Sequence, residues 1–358
     1  MSNRKLLVGS MFLFCAILFS LLTVFWQVTA LSLVYLPTEQ LARHRSILEG
    51  TAGNPYQYRI LSEYFVEGLI RAFTSLGVSQ PITSAFILFR ILQNMVIFLL
   101  ASLYYKKLGL NPYVTLIGLS LLAWGMTHSL YNSDLAFSTY SDIIFYLAAG
   151  LVILYNRAAW IIPIVGLAAL NRETSGLIPL MLVLHCLYIK PDKNALKRDI
   201  VFATVALGLY TFVFFSLRYV YGVDRRLMSP QGIHLGFEFF AHNFFHYITY
   251  VQLFATLGIL PILAIFAARQ WPRSLHAFFW AIVPIWLSFH PFMSSLAESR
   301  LLLVPFILIF VPGALFGIDG VRADTSGSGS GGAALNPVTS RLLERSNCRA
   351  APHIFGCY

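Results

Sequence analysis

Charge is scarce in this chain of 358 residues: Asp, Glu, Lys and Arg together make up 11% of it, where a soluble domain carries about 25%. A surface so poor in ionised groups cannot be solvated by water alone. What fills their place is apolar, since 58% of residues are hydrophobic and 15% aromatic, and the mean hydropathy is +0.71. Lipid is therefore the expected solvent. At about 20 residues per crossing, ten spanning helices use roughly 200 residues. The remainder suffices for short loops and a tail but not for an independent catalytic domain. Any chemistry must then take place on or within a helix bundle.

Cysteine is sparse as well, and the four present argue against a disulfide framework. Cys15 and Cys186 lie in apolar runs, while Cys348 and Cys357 fall in a C-terminal segment where, with His353, they make a poor metal-ligand pattern. A Gly-rich phosphate loop, a paired-cysteine zinc motif and a nucleophile elbow are all missing.

Long apolar runs are what the chain has instead. Arg4 and Lys5 precede one from Leu6 to Leu36. The apolar region of a secretory signal covers about 7–15 residues, so this run reads as an uncleaved first helix. Further spans are expected near 83–105, 112–131, 135–155, 199–220, 244–268, 275–291 and 301–318. The stretch 158–189 is too long for one crossing: as a single helix it would measure roughly 48 Å, against a hydrocarbon core of about 30 Å. Pro163, Pro179 and the polar Asn171-Arg172-Glu173-Thr174 interrupt it. We read two short helices joined at a polar apex. The expected fold class is an all-α polytopic membrane protein of about ten transmembrane segments with one broken-helix hairpin.

The distribution of basic residues supports this division. With a cytosolic N-terminus, fifteen of the 25 basic residues and five of the 15 acidic ones fall on the cytosolic side, which accounts for the whole formal charge of +10. A single span over 158–189 would instead carry the basic loops 190–198 and 269–273 outside. Basicity spread over short loops is a topology signal rather than a binding stripe, which excludes nucleic acid as a partner. The expected location is the inner or plasma membrane of the cell, with multiple crossings and both termini cytosolic. Two regions follow: a transmembrane helical domain over 1–318 and a flexible cytosolic tail over 319–358, introduced by the Gly/Ser run Ser326–Gly332.

Polar residues collect on the opposite side. In the first exoplasmic loop, 37–82, Thr38 is expected to N-cap a short helix with Glu39 in its first turn. After a break from Gly50 to Pro55, an amphipathic juxtamembrane helix is expected over Tyr56–Leu76. Arg59, Glu63, Glu67 and Arg71 form a four-residue ladder on it, of which Glu63, Glu67 and Arg71 read as solvated surface pairs. Arg59 with Tyr58 lies at a turn feeding a helix start, which suits either a phosphate site or an interfacial anchor. At the 171–174 apex, Arg172 and Glu173 sit at membrane depth, where ionisable groups face a cavity or each other. Asp134 begins the fourth span, Asp142 lies two turns further in, and Glu298 and Arg300 precede the last span. The 221–243 loop adds Asp224, Arg225, Arg226, His234, Glu238 and His242. His242 and His246 lack the intervening Glu of a metalloprotease and read as aromatic-belt packing. His128 and His290 read as interfacial or packing residues.

In these features the sequence resembles the GT-C class of integral-membrane glycosyltransferases, in a mannosyltransferase-like form. The likeness covers most of 1–318 through architecture and short polar motifs. It implies a polyprenyl-phosphate sugar donor and a catalytic acid in the first exoplasmic loop, a position that falls on Glu39, with Glu49 in reserve. Where that family has Asp, often in an acidic pair, this chain has Thr38-Glu39-Gln40. The residues expected to bind substrate or lipid phosphate are Tyr58, Arg59, Asp134, Asp142, Arg172, Glu173, Glu298 and Arg300. No cofactor follows, although a divalent cation stays open. The implied partners are the lipid bilayer, a polyprenyl-phosphate-linked sugar, and an acceptor glycan, lipid or protein. The alternative is a transporter or flippase for a lipid-linked or anionic substrate. Inverted repeats would favour it, and none is visible.

Overall fold

The computed structural model describes residues 3–189, 193–223 and 233–318. The expected tail over 319–358 and the loop charges Asp224, Arg225 and Arg226 lie outside the described residues. Every regular element among the described residues is helical. Helix α1 spans Asn3–Leu31 and is followed by a π turn, Leu36–Gln40, and by α2, Leu41–Leu48. A 3-10 turn at Tyr56–Tyr58 leads to α3, Ile60–Ser75. Helices α4 (Pro81–Leu108), α5 (Pro112–His128) and α6 (Phe137–Leu154) follow. The shorter α7 (Ala158–Ala169) and α8 (Glu173–Ile189) precede α9, Lys193–Tyr221. Then come α10 (Phe237–Phe245), α11 (Tyr247–Leu257), α12 (Leu260–Phe266), α13 (Arg273–Met293) and α14 (Ser299–Ile318).

Six of these, α1, α4, α6, α9, α13 and α14, are long and apolar enough to cross a membrane. Helices α11 and α12 together meet the same test but are bent by 66° at the Gly258–Ile259 break. The chain is therefore a membrane protein. Its lipid-facing residues are large and apolar, as with Phe14, Phe25 and Trp26 on α1 and Phe212 and Phe215 on α9, all exposed.

Local chemistry explains the sharpest breaks. Gly109 ends α4 with φ +111°, a left-handed conformation that costs glycine little. Two residues later the Asn111 side chain accepts from the Val114 N–H at 3.0 Å, with Pro112 at the first helical position. The chain thus reverses from α4 into α5 within three residues.

Helix α14 is the most buried of the candidate spans and forms the axis of the core. It starts as a 3-10 turn and passes through a π turn at Phe306–Phe310, which leaves carbonyls without their usual helical donors. Neighbouring helices supply those donors. Tyr104 and Tyr105 hydroxyls donate to the Leu308 and Ile307 carbonyls at 3.0 and 2.8 Å, and Trp286 Nε1 donates to Leu301 O at 2.9 Å. Burying such carbonyls without partners would cost several kcal/mol each in an apolar core, about 2–7 by transfer data.

Three local expectations are corrected. Thr38 is no N-cap: its hydroxyl donates back to Val34 O at 2.8 Å within a continuous helical path from Tyr35. The helix expected over Tyr56–Leu76 begins only at Ile60, because Arg59 is non-helical, with φ −97° and ψ 57°. Asp134 lies in the loop ahead of α6 rather than in the helix itself.

Candidate functional site

The first loop folds back onto the break between α7 and α8. Leu170 ends α7, and Arg172 is extended, with φ −155° and ψ 150°. That break exposes backbone groups, and the loop occupies one of them: Leu61 N–H donates to Leu170 O at 3.1 Å. Beside it the Ser62 hydroxyl donates to Asn171 Oδ1 at 2.9 Å, and Asn171 Nδ2 donates to Ser138 O at 2.7 Å. Three segments distant in sequence are thereby fixed at one end of the bundle, where α13 ends and α6 and α14 begin.

A half-open cavity of about 800 Å³ lies there. Arg43, Arg59, Arg172 and Arg300 all line it, together with Glu173 and Glu298. Trp286, Phe289 and Met293 of α13 and Phe239 of α10 make an apolar wall. Tyr56 carries two of the guanidinium groups, with Arg43 4.3 Å and Arg59 5.2 Å from its ring centre.

Ion pairs hold these arginines in place. Arg59 Nη2 meets Glu173 Oε2 at 3.2 Å, and Arg172 Nη1 lies 3.7 Å from Asp142 Oδ2. Arg300 reaches Glu298 at 2.7 Å and Asp134 at 3.3 Å, while Arg43 meets the other Asp134 oxygen at 2.5 Å. Burial works to raise the Asp134 carboxyl, but Arg43 and Arg300 outweigh it and hold the group below the usual carboxylate range. Of the two readings of the apex, the Arg172–Glu173 pair is not the one formed: each takes a different partner, because the extended Arg172 backbone sends successive side chains to opposite sides.

Unpartnered donors and acceptors are both buried at this site. Arg59 Nε, Arg172 Nε and Arg300 Nε are all buried without a hydrogen-bond partner. A guanidinium offers five N–H donors, and the four carboxylates engage only part of the set. Asp142 Oδ1 and Glu173 Oε1 are likewise buried without partners, so what favours an anion here is the set of guanidinium groups that line the cavity, and the apolar wall beside them suits a lipid chain.

Among the residues expected to act here, Arg59, Arg172, Glu173, Glu298 and Arg300 meet on this cavity. Asp134 and Asp142 stand behind it as counter-ions, whereas Tyr58 is buried off the lining, donating its hydroxyl to Gly222 O at 2.8 Å. Glu39 and Glu49 are not among the lining residues, and both are exposed. Arg43 and Tyr56 line the cavity without having been expected to, as do Trp286 and His290, the latter expected only as an interfacial or packing residue. A hint was available for the last two, which stand one helical turn apart on α13.

The ladder on α3 is also rearranged. Glu63 is buried and meets His44 Nδ1 at 2.6 Å, while His44 Nε2 meets Glu67 at 3.2 Å. Burial alone would lower His44, but the two carboxylates outweigh it and raise its pKa above the ordinary imidazole value. Glu67 is likewise opposed by burial, yet Arg71 and His44 hold it below the usual range. Only the Glu67–Arg71 pair keeps its expected i,i+4 form, at 2.7 Å. His242 and His246 stack with ring centres 4.9 Å apart, an aromatic packing contact. Among the described residues no group of three or more His, Cys, Asp or Glu side chains could hold a metal ion.

No family model matches the sequence, and no curated protein or solved structure matches it either.

Proposed function

We propose that this chain is an integral-membrane glycosyltransferase that takes a sugar from a polyprenyl-phosphate donor on the exoplasmic side. The observation that carries this reading is the convergence of Arg59, Arg172 and Arg300, from three distant segments, on one cavity with an apolar wall. The arginines bind the donor phosphate and stabilise its charge as it leaves, in a water-poor setting where such contacts are strongest. The wall of Trp286, Phe289 and Met293 accommodates the first isoprenyl units. A donor that arrives through the bilayer needs no soluble nucleotide-binding domain, in keeping with described residues whose regular elements are all helical.

The same proposal carries the topology. Helices α7 and α8 form a re-entrant or broken hairpin whose apex lies at the cavity, giving ten membrane segments with both termini cytosolic. Broken helices at membrane depth are tolerated where they line such a cavity. Glu39 and Glu49 lie off the cavity, so the resemblance to GT-C enzymes does not extend to the position of the acid.

The test is a transfer assay. Purified protein in lipid nanodiscs is incubated with a panel of polyprenyl-phosphate hexoses and a membrane extract as the acceptor source. Release of polyprenyl phosphate together with a new glycosylated product is expected. Movement of the lipid-linked donor across proteoliposomes, with no glycosyl product, would replace this reading by a transporter or flippase.

A further inference from the structure

The transferase reading needs a group that takes the proton from the acceptor hydroxyl, and His290 is built for that task. It lies on α13 and lines the cavity that Arg59, Arg172 and Arg300 share. Its Nδ1 is 3.0 Å from the Trp286 carbonyl oxygen. A carbonyl can only accept, so Nδ1 carries the hydrogen and Nε2 of the neutral ring carries the lone pair. Among the described residues Nε2 has no hydrogen-bond partner.

The ring is also held in orientation. It stacks on the Trp286 indole with centres 4.9 Å apart and an interplanar angle of 8°. Trp286 is itself anchored through its Nε1 hydrogen bond to Leu301 O at 2.9 Å. This is the arrangement of a general base: one nitrogen fixed by a backbone acceptor, the other presented to the reacting groups. By contrast, every carboxylate on the cavity wall already serves an arginine.

We propose that His290 is the catalytic residue that deprotonates the acceptor, a step that rests on the transferase reading above. The acceptor O–H proton moves to His290 Nε2 as the oxygen attacks the anomeric carbon. The bond from that carbon to the phosphate oxygen breaks, and its electron pair leaves with the polyprenyl phosphate. Arg172 and Arg300 hold the added negative charge. The imidazolium then returns its proton to water or to the departing phosphate, and the ring is neutral again.

The molecule contains its own control. His128 makes the same local contact, with Nδ1 2.9 Å from Trp124 O and its ring stacked at 4.1 Å, but it does not line the cavity. His290→Gln and His128→Gln are compared with the wild type for turnover of polyprenyl-phosphate hexoses and for binding of polyprenyl phosphate alone. His290→Gln is expected to lose at least about 100-fold in kcat, the usual lower range for a general base, with polyprenyl phosphate affinity unchanged. His128→Gln is expected to match the wild type. Wild-type turnover that persists in His290→Gln overturns the assignment and leaves the transferase reading standing. Loss of lipid binding equal to the loss of rate would make His290 a binding residue and also overturn it. No turnover by the wild type with any donor rejects both readings together.

If His290→Gln does not fold, carbethoxylation of the wild-type protein decides. Inactivation is expected to track modification of His290, with polyprenyl phosphate protecting it. Inactivation without modification of His290 would contradict the role.

Discussion

Arg59 and Glu173 stand 114 positions apart in the chain and meet at 3.2 Å on the lining of the cavity. This pair, with the Leu61-to-Leu170 backbone bond, ties the first loop to the broken α7–α8 segment. The cavity is therefore a property of the folded chain as a whole. No single segment contains enough of it to bind anything.

Asp134 is the counter-ion for two arginines, and its removal is expected to be costly. It is 3% exposed and meets both Arg43 and Arg300. Asp134→Asn leaves a buried guanidinium short of compensation, so a loss of about 3–5 kcal/mol is expected. Thermal unfolding in detergent measures it. The Asp134 carboxyl is held below its ordinary value, so its contribution is fully present above about pH 3.9. It is lost only as pH falls through the lowered value. Asp134→Asn should flatten that acid limb.

His44 predicts the opposite slope. Its two ring nitrogens face Glu63 and Glu67 on α3, with Arg71 behind Glu67 and the Phe86 ring of α4 at 5.8 Å. Arg45 and Glu49 of its own segment border the same hollow. A histidine raised in the folded state stabilises fully below about pH 6.5 and loses that contribution as pH rises through its higher value. Unfolding midpoints measured from pH 6 to pH 10 are expected to fall for the wild type. For His44→Gln they should start lower and change less. Parallel curves would show that the clamp does not carry this charge.

Glu39 and Glu49 give a prediction that separates the family resemblance from the geometry. Both are exposed and away from the cavity wall. Glu39→Gln and Glu49→Gln are expected to keep polyprenyl phosphate binding and donor turnover within about twofold, the scale of a neutral surface change. Abolished turnover in Glu39→Gln, with intact folding, would return the base to the first loop.

The sequence made the helical order readable because its breaks are chemical. Pro and Gly punctuate the runs, Asn111-Pro112 starts α5, and the polar 171–174 segment interrupts α7–α8 where the structure also breaks. Membership of the cavity was legible for Arg172 and Arg300, since an arginine set between apolar runs must find an anion. Their partners were not. Whether Arg172 pairs with Glu173 or Asp142 depends on one extended residue, and Glu63 leaves its surface ladder because α2 brings His44 over it. Such contacts are set by packing between elements, which periodicity within one element cannot reveal. Glu39 shows the converse, since its position after the first helix matched a family pattern while its side chain remained exposed.

The central claim is that the cavity recognises a lipid phosphate, and the direct measurement is equilibrium binding of polyprenyl phosphate against uncharged polyprenol. Wild type, Arg172→Lys and Arg300→Lys are compared in nanodiscs. Lysine keeps the charge but loses the planar fork that engages two phosphate oxygens. The account predicts that the wild type prefers the phosphate over the alcohol, and that each variant, still folded, weakens phosphate binding by about tenfold, or 1.4 kcal/mol, while polyprenol binding is unchanged. Equal affinity of the wild type for both lipids, or undiminished phosphate binding by both well-folded variants, would contradict it.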